Sequence, residues 1–238
     1  MFRVCVLGLI LFAGLGFVFV SGQVVHASPL QKWRVSCGTD PGALEKKGRT
    51  YTFRTSSNRC PGGIFTQRSE IATEHASARQ SGTYLFSTDL SVTSSATEKF
   101  AIFQIHDGRF GCAPPLKINV LPTGHLTFDS EYKIGSKPGN DCRKVASMQG
   151  QKSNARIKRD GTEYKLDVIV DFDGTGGFVT YVSLDDRPQM QGTYSPPEGQ
   201  GFFKSQKYFF KHGSYSLNVF PYEIVSRDMR VRRVKLRN

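Results

Sequence analysis

Hydrophobic and polar residues alternate one for one through much of the chain. In residues 84–92 the even positions Tyr84, Phe86, Leu90 and Val92 are apolar, and in 164–172 Tyr164, Leu166, Val168, Val170 and Phe172 are, with Leu85 and Ile169 the apolar exceptions at odd positions. Residues 99–106, 116–121, 125–128 and 178–184 repeat the pattern. A period of two is that of a strand with one buried face. Between these runs stand Asp107-Gly108, Pro122-Thr123-Gly124, Asp160-Gly161, residues 173–177 and residues 185–188, all rich in the residue types that reverse a strand tightly. No long stretch has the 3.6-residue period of an amphipathic helix. The pattern predicts an all-β domain, a jelly-roll sandwich of two antiparallel sheets whose inner face can hold an extended ligand. Residues 136–153 are polar and break the alternation, which predicts a long loop pinned by Cys142.

Length adds a bound. Of 238 residues, 1–27 read as a signal peptide: Arg3, an apolar run over 4–20, and small residues at Val25 and Ala27 where a signal peptidase cuts. The remaining residues 28–238 fit one domain, which is within the range of a single β sandwich. With hydrophobic residues at 38% and charged residues at 22%, the chain is neither disordered nor fibrous. Export removes Cys5 and leaves Cys37, Cys60, Cys112 and Cys142 in an oxidising compartment. The pairings that need least rearrangement are Cys37 with Cys60 and Cys112 with Cys142. No CxxC or HxxxH spacing suggests zinc, and residues 171–174 begin like a calcium loop but lack its later ligands, so no metal or other cofactor is expected.

The net charge of +12 sits almost wholly in the exported part, because the signal segment carries only Arg3. Such a field concentrates anionic polymers. The basic residues are scattered, apart from the alternating run 227–237, which reads as a final strand with one basic face. Nucleic acid is therefore not the expected partner, nor is a membrane after cleavage, and a monomer is expected.

Three strand segments carry candidate chemistry. In residues 99–106 (KFAIFQIH) Gln104 and His106 share one face, with Ala101, Phe103 and Ile105 on the other. In QRSEI, Arg68 and Glu70 share a face, and in FFKHGSYSL, Lys211, Gly213 and Tyr215 do. A guanidinium, amide, imidazole, ammonium and phenol together suit β-elimination on a uronic acid polymer. Arg68 and Gln104 would neutralise the substrate carboxylate, and His106 and Tyr215 would act as base and acid. Glu70, Lys117 and Lys211 are the candidate substrate-binding residues.

The segments RSEIA, QIH and FFKHGSY resemble, in the same order, the R-S/T-E-L-R, Q-I/V-H and Y-F-K-A-G-x-Y-N-Q motifs of the alginate lyases of polysaccharide lyase family 7. The chain is also similar in pattern to glucuronan lyases and to the heparin lyase I type. The resemblance implies a concanavalin A-like jelly roll and a cofactor-free lyase for an anionic polysaccharide, with Arg68, Gln104, His106 and Tyr215 as its catalytic residues. The departures are Ala72 for the second Arg, Phe209 for Tyr, His212 for Ala and Ser216-Leu217 for Asn-Gln. A noncatalytic, lectin-like module for acidic polysaccharide is the alternative. A hydrolase would need two carboxylates at a defined separation, and the strand that carries them in jelly-roll hydrolases is absent.

Overall fold

The computed structural model describes residues 27–58, 65–135, 141–199 and 201–235. Alternation becomes antiparallel sheet as expected, and the one helical element among these residues is a single 3-10 turn, Pro29–Gln31. In chain order the strands are β1 (Trp33–Val35), β2 (Leu44–Lys47), β3 (Thr50–Arg54), β4 (Gln67–Thr73), β5 (Ala76–Ser77), β6 (Ser81–Ser94), β7 (Phe100–His106), β8 (Leu116–Val120) and β9 (His125–Asp129). They continue as β10 (Glu131–Lys133), β11 (Cys142–Lys144), β12 (Lys152–Arg156), β13 (Asp160–Asp173), β14 (Phe178–Leu184), β15 (Arg187–Tyr194), β16 (Lys207–Ser216) and β17 (Tyr222–Val234).

Two sheets form the sandwich. One runs β1-β4-β16-β7-β8-β9-β12, with β5 beside the start of β16, and the other runs β15-β14-β13-β6-β17-β3-β2. Strands far apart in sequence are neighbours in both, so the fold rests on non-local pairing. The core between them is aromatic: Phe86 meets Phe103 at 4.9 Å between ring centroids and Phe172 stacks on Phe210. The alternating residues Phe86, Leu90, Val168, Val170, Phe103, Ile105 and Ile118 are all buried there. Each such side chain removed from water contributes roughly 1.5–3 kcal/mol.

Two parts of the sequence pattern read differently in the structure. Residues 136–153 are not one loop, because Cys142–Lys144 pairs with Glu131–Lys133 as a separate two-stranded ladder and β12 begins at Lys152; residues 136–140 lie outside the described part. A ladder of three residues a strand is too short to show a period of two. Residues 185–188 are a reversal only at Asp185 and Asp186, both with positive φ (50° and 61°), after which β15 starts at once. That pair of left-handed residues makes the hairpin turn that matches strand twist. Pro188 is tolerated because β15 is an edge strand.

The Cys112–Cys142 disulfide forms as expected, with 5.8 Å between Cα atoms. Cys37 is also disulfide-bonded, and Cys60 lies outside the described residues.

His212, which stands where the family has Ala, points away from the groove into the inter-sheet core and is fully buried. Its Nδ1 donates to the Ile102 carbonyl at 2.7 Å, and its Nε2 accepts from the Ser226 hydroxyl of the opposite sheet at 2.5 Å. Burial lowers its pKa to about 4. The unfolded chain takes up a proton near 6.5. Stability from this group is therefore complete above pH 6.5 and lost as pH falls toward 4. Between pH 7.5 and 4.5 the loss should be about 2–3 kcal/mol. Urea unfolding of the wild type and of His212→Gln at both pH values should show this component only in the wild type; equal acid sensitivity would contradict it.

Candidate active site

The three motif strands are adjacent: β16 lies between β4 and β7. Register sets Tyr215 opposite Arg68 and Ala101, Gly213 opposite Glu70, Lys211 opposite Ala72 and Gln104, and Phe209 opposite His106. On the far side of β7, Lys117 of β8 stands beside Gln104, and Asp129 of β9 stands beside Lys117. Arg68, Gln104, His106, Lys117, Lys211 and Tyr215 all line one groove of about 490 Å³ on the outer face of this sheet.

Faces match the sequence pattern on β4 and β16 and depart from it on β7. Phe103 and Ile105 face the core, but Ala101 lies in register with Tyr215 on the groove side. The cause is a bulge at Ile102, which has no partner on β8 and shifts the alternation by one. The small side chain of Ala101 thereby lies beside the Tyr215 ring. Against the same bulge, β16 sets two residues, Gly213 and Ser214, where β7 offers one.

Glu70 is the hub. It is 2% exposed; one carboxylate oxygen accepts from Gln104 Nε2, and the other accepts from Lys211 Nζ at 3.2 Å, with Arg68 Nε at 3.7 Å. Expected as a substrate contact, it lies instead beneath the groove with both oxygens occupied, where it orients three groups. The cluster keeps a surplus positive charge, since two cations surround one carboxylate. Gln104 of β7 and Glu70 of β4 reach each other across β16, where Gly213 stands opposite Glu70.

Tyr215 is packed between cation and ring: the Arg68 guanidinium carbon is 4.4 Å from its ring centroid, Lys211 Nζ is at 5.9 Å, and Phe65 is at 4.5 Å. Burial raises its pKa, and the Arg68 charge opposes that rise. Lys211 is buried too, and desolvation lowers its pKa against the pull of Glu70. His106 stacks on Phe209 at 5.2 Å, and its Nδ1 accepts the Gly108 backbone N–H at 2.8 Å. Burial first and Lys211 second lower its pKa to about 3, so it is neutral at ordinary pH.

Further along the groove Lys117, Lys99 and Lys144 surround Asp129, at 3.3, 3.1 and 3.5 Å. Burial pushes the Asp129 carboxyl up, and these lysines outweigh it, so it stays ionised. Sequence reasoning missed Asp129, yet extending the alternation His125, Thr127 by one more residue puts it on the groove face. It also missed the wall of the groove. Asp107 and Arg109 form a buried pair at 2.6 Å; Arg109 donates to Tyr194 Oη at 2.8 Å, and the Ser205 hydroxyl donates to Asp107. With the Cys112–Cys142 bridge, this holds residues 110–114 along the groove edge. Charged residues beside a turn signal read as solvated, and nothing local marks this pair as buried. Cys112, Glu131 and Cys142 bring three metal-ligand atoms within 4.8 Å, but the two sulfurs are bonded to each other and offer no thiolate.

Among solved structures, an alginate lyase of polysaccharide lyase family 7 superposes with a TM-score of 0.57, at 15% identity over 87% of this chain and 96% of that one. An alginate lyase from Corynebacterium sp. gives 0.54, at 17% identity over 86% and 95%. This chain has the alginate lyase fold. An alginate lyase from Pseudomonas aeruginosa agrees, at 0.54 and 13% identity over 87% and 99%. No family model matches the sequence, and comparison with curated proteins gives no match. The alginate lyase fold thus stands on three-dimensional similarity, with the motif strands at the centre of its groove-bearing sheet.

Gly213 is fixed by geometry. Its φ is +137°, and a Cβ there would lie 2.1 Å from the Ser69 carbonyl oxygen and 2.9 Å from Glu70 Cα. The backbone of β4 cannot move aside without breaking the pairing that holds Arg68 and Glu70. Gly213→Ala should cost about 3 kcal/mol or more in urea unfolding; a loss under about 1 kcal/mol would contradict this.

Proposed function

We propose that the protein is a polysaccharide lyase that cleaves a uronate-containing anionic polymer by β-elimination, and that it works after export. What carries this is the grouping of Arg68, Gln104, Lys211, His106 and Tyr215 along one groove, around a buried carboxylate that fixes three of them. Removing the proton on sugar carbon 5, beside a carboxylate, builds negative charge on the carboxylate oxygens. Preorganised donors that meet that charge lower the barrier most. Arg68 supplies a bidentate cation, and Gln104 keeps a second amide N–H after donating to Glu70. Proton transfer falls to Tyr215, with His106 at the other end of the cluster. Lys117, Lys99 and Lys144 attract the carboxylates of neighbouring sugars. Alginate and glucuronan are both candidates.

Export is supported by the Cys112–Cys142 bridge and the bonded Cys37, since disulfides persist outside the reducing cytosol. Among the described residues no helix is long and apolar enough to cross a membrane. We further propose that residues 1–27 are the cleaved signal and that one domain acts as a monomer without a cofactor.

Elimination leaves a double bond conjugated with the carboxylate, so ultraviolet absorbance should rise when the protein is incubated with polymannuronate or glucuronan. Tyr215→Phe should reduce that rate by about 10³-fold or more while polymer binding changes only a few-fold. Near-normal turnover in the variant would exclude Tyr215 from the chemistry. Salt-sensitive binding with unchanged polymer length would favour the lectin-like alternative.

The pH profile follows from the same groups. Tyr215 acts as a base only as phenolate, and burial raises its pKa while Arg68 opposes and Glu70 adds to the rise. The rate should therefore climb on the alkaline side of neutrality. His106, held at about 3, should add no limb near pH 6.5. A limb centred near 6.5 and lost in His106→Gln would contradict this assignment.

A further inference from the structure

The side of β4 that bears the groove reads Arg68, Glu70, Ala72 and, just past the strand, Glu74, so every position but Ala72 is charged. Each carboxylate there is matched. Glu70 holds Arg68 and Lys211, and Glu74 meets Lys32, which precedes β1, at 3.5 Å. Between these pairs Arg34 of β1 stands in register with Ala72, opposite a methyl group where its neighbour along the chain has a carboxylate. Arg34 is exposed, lines the groove together with Ala72, and has no ion-pair or hydrogen-bond partner among the described residues. His75 lines the same end of the groove, where burial first and then the charges of Lys207 and Arg34 lower its pKa. The charge that surrounds this end is therefore positive.

Register carries the row on across the sheet: Arg34, Ala72, Lys211, Gln104, Lys117 and Asp129 stand side by side on neighbouring strands. Cations occupy every second strand of the row, β1, β16 and β8. Strands lie about 4.8 Å apart, which puts the backbone of Arg34 about 10 Å from that of Lys211, roughly two rings of an extended 1,4-linked polysaccharide. Lys211 is tied to Glu70 and Lys117 to Asp129, so among the described residues Arg34 is the cation of this row without a carboxylate.

We infer that Arg34 is a distal anion site of the groove: it binds the carboxylate of a sugar further along the chain than the one that meets Arg68 and Gln104, and so fixes how a long polymer lies across the strands. This rests on the reading of the groove as a uronate-polymer site and names one further contact of that site. A guanidinium offers a planar fork that matches a carboxylate, and one with no internal partner has that fork free. Ala72 keeps the space between Arg34 and Lys211 open, where a longer side chain would stand between the two cations. A charge on an edge strand such as β1 also hinders pairing of that edge with another sheet, but charge of either sign serves there. Reversing the charge therefore separates the two roles.

The test is the affinity of the Tyr215→Phe protein, chosen so that polymer is held and not turned over, for uronate oligomers prepared from polymannuronate or glucuronan. In that background Arg34→Ala should weaken binding of an octamer about ten-fold and Arg34→Glu more, while a disaccharide, too short to span from the central cluster to β1, loses less than about two-fold. Arg34→Lys keeps the charge without the fork and should fall between parent and Arg34→Ala. Arg232→Glu, an equal change of charge at an exposed position on β17 of the opposite sheet, should leave octamer affinity within about two-fold of the parent. Octamer affinity within about two-fold of the parent in both Arg34→Ala and Arg34→Glu, with unchanged circular dichroism, overturns the inference. So does an equal loss for disaccharide and octamer, or a loss in Arg232→Glu that matches Arg34→Glu. The lyase reading fails separately, if octamer binding depends on Arg34 while the wild type releases no unsaturated product from either polymer. An octamer that does not bind removes both.

Discussion

One carboxylate organises the groove. Glu70 sits almost fully out of water, where an ion survives only with charge and hydrogen-bond partners. It takes them from three strands' worth of side chains: Arg68 beside it on β4, Lys211 on β16 and Gln104 on β7. Each partner is held by that contact in the orientation in which it lines the groove. The carboxylate also offsets part of the repulsion between Arg68 and Lys211, which would otherwise oppose their closeness. What remains is a net positive, preorganised patch suited to a substrate carboxylate that gains charge during reaction.

The sheet is shaped to allow this. Gly213, opposite Glu70 on β16, is held by its left-handed φ against the Ser69 carbonyl and lets β16 lie close against β4. The bulge at Ile102 lies next to that glycine and turns Ala101 toward Tyr215. Bulges that re-aim side chains beside a functional site are a recurrent device. Behind the sheet, His212 ties β16 to β17 through Ser226 and spans the aromatic core between Phe53 and Phe86. The polar bridge fixes the depth at which the central strand sits.

Much of this was legible in the chain. Period-two alternation marks most of the strands, and the shared faces of Arg68 with Glu70, and of Lys211 with Tyr215, follow from parity alone. Parity fails where a bulge intervenes, so Ala101 reads as core when it lies on the groove-bearing face beside Tyr215. It also cannot separate a carboxylate that touches substrate from one that lies under it; Glu70 has the same face as Arg68 and a different depth. Long-range pairs such as Asp107 with Arg109 beneath Tyr194 and Ser205 have no periodic signature. The same holds for the β10–β11 ladder, whose strands of three residues are too short to show a period.

The central claim is that the Glu70-centred patch serves elimination rather than hydrolysis or binding. Mass spectrometry of oligosaccharides released from glucuronan or polymannuronate separates these directly. Elimination predicts fragments whose new non-reducing ends are one water lighter than hydrolytic ends, lost in Tyr215→Phe. Fragments carrying the added water, or a polymer bound but left at full length, would contradict the account.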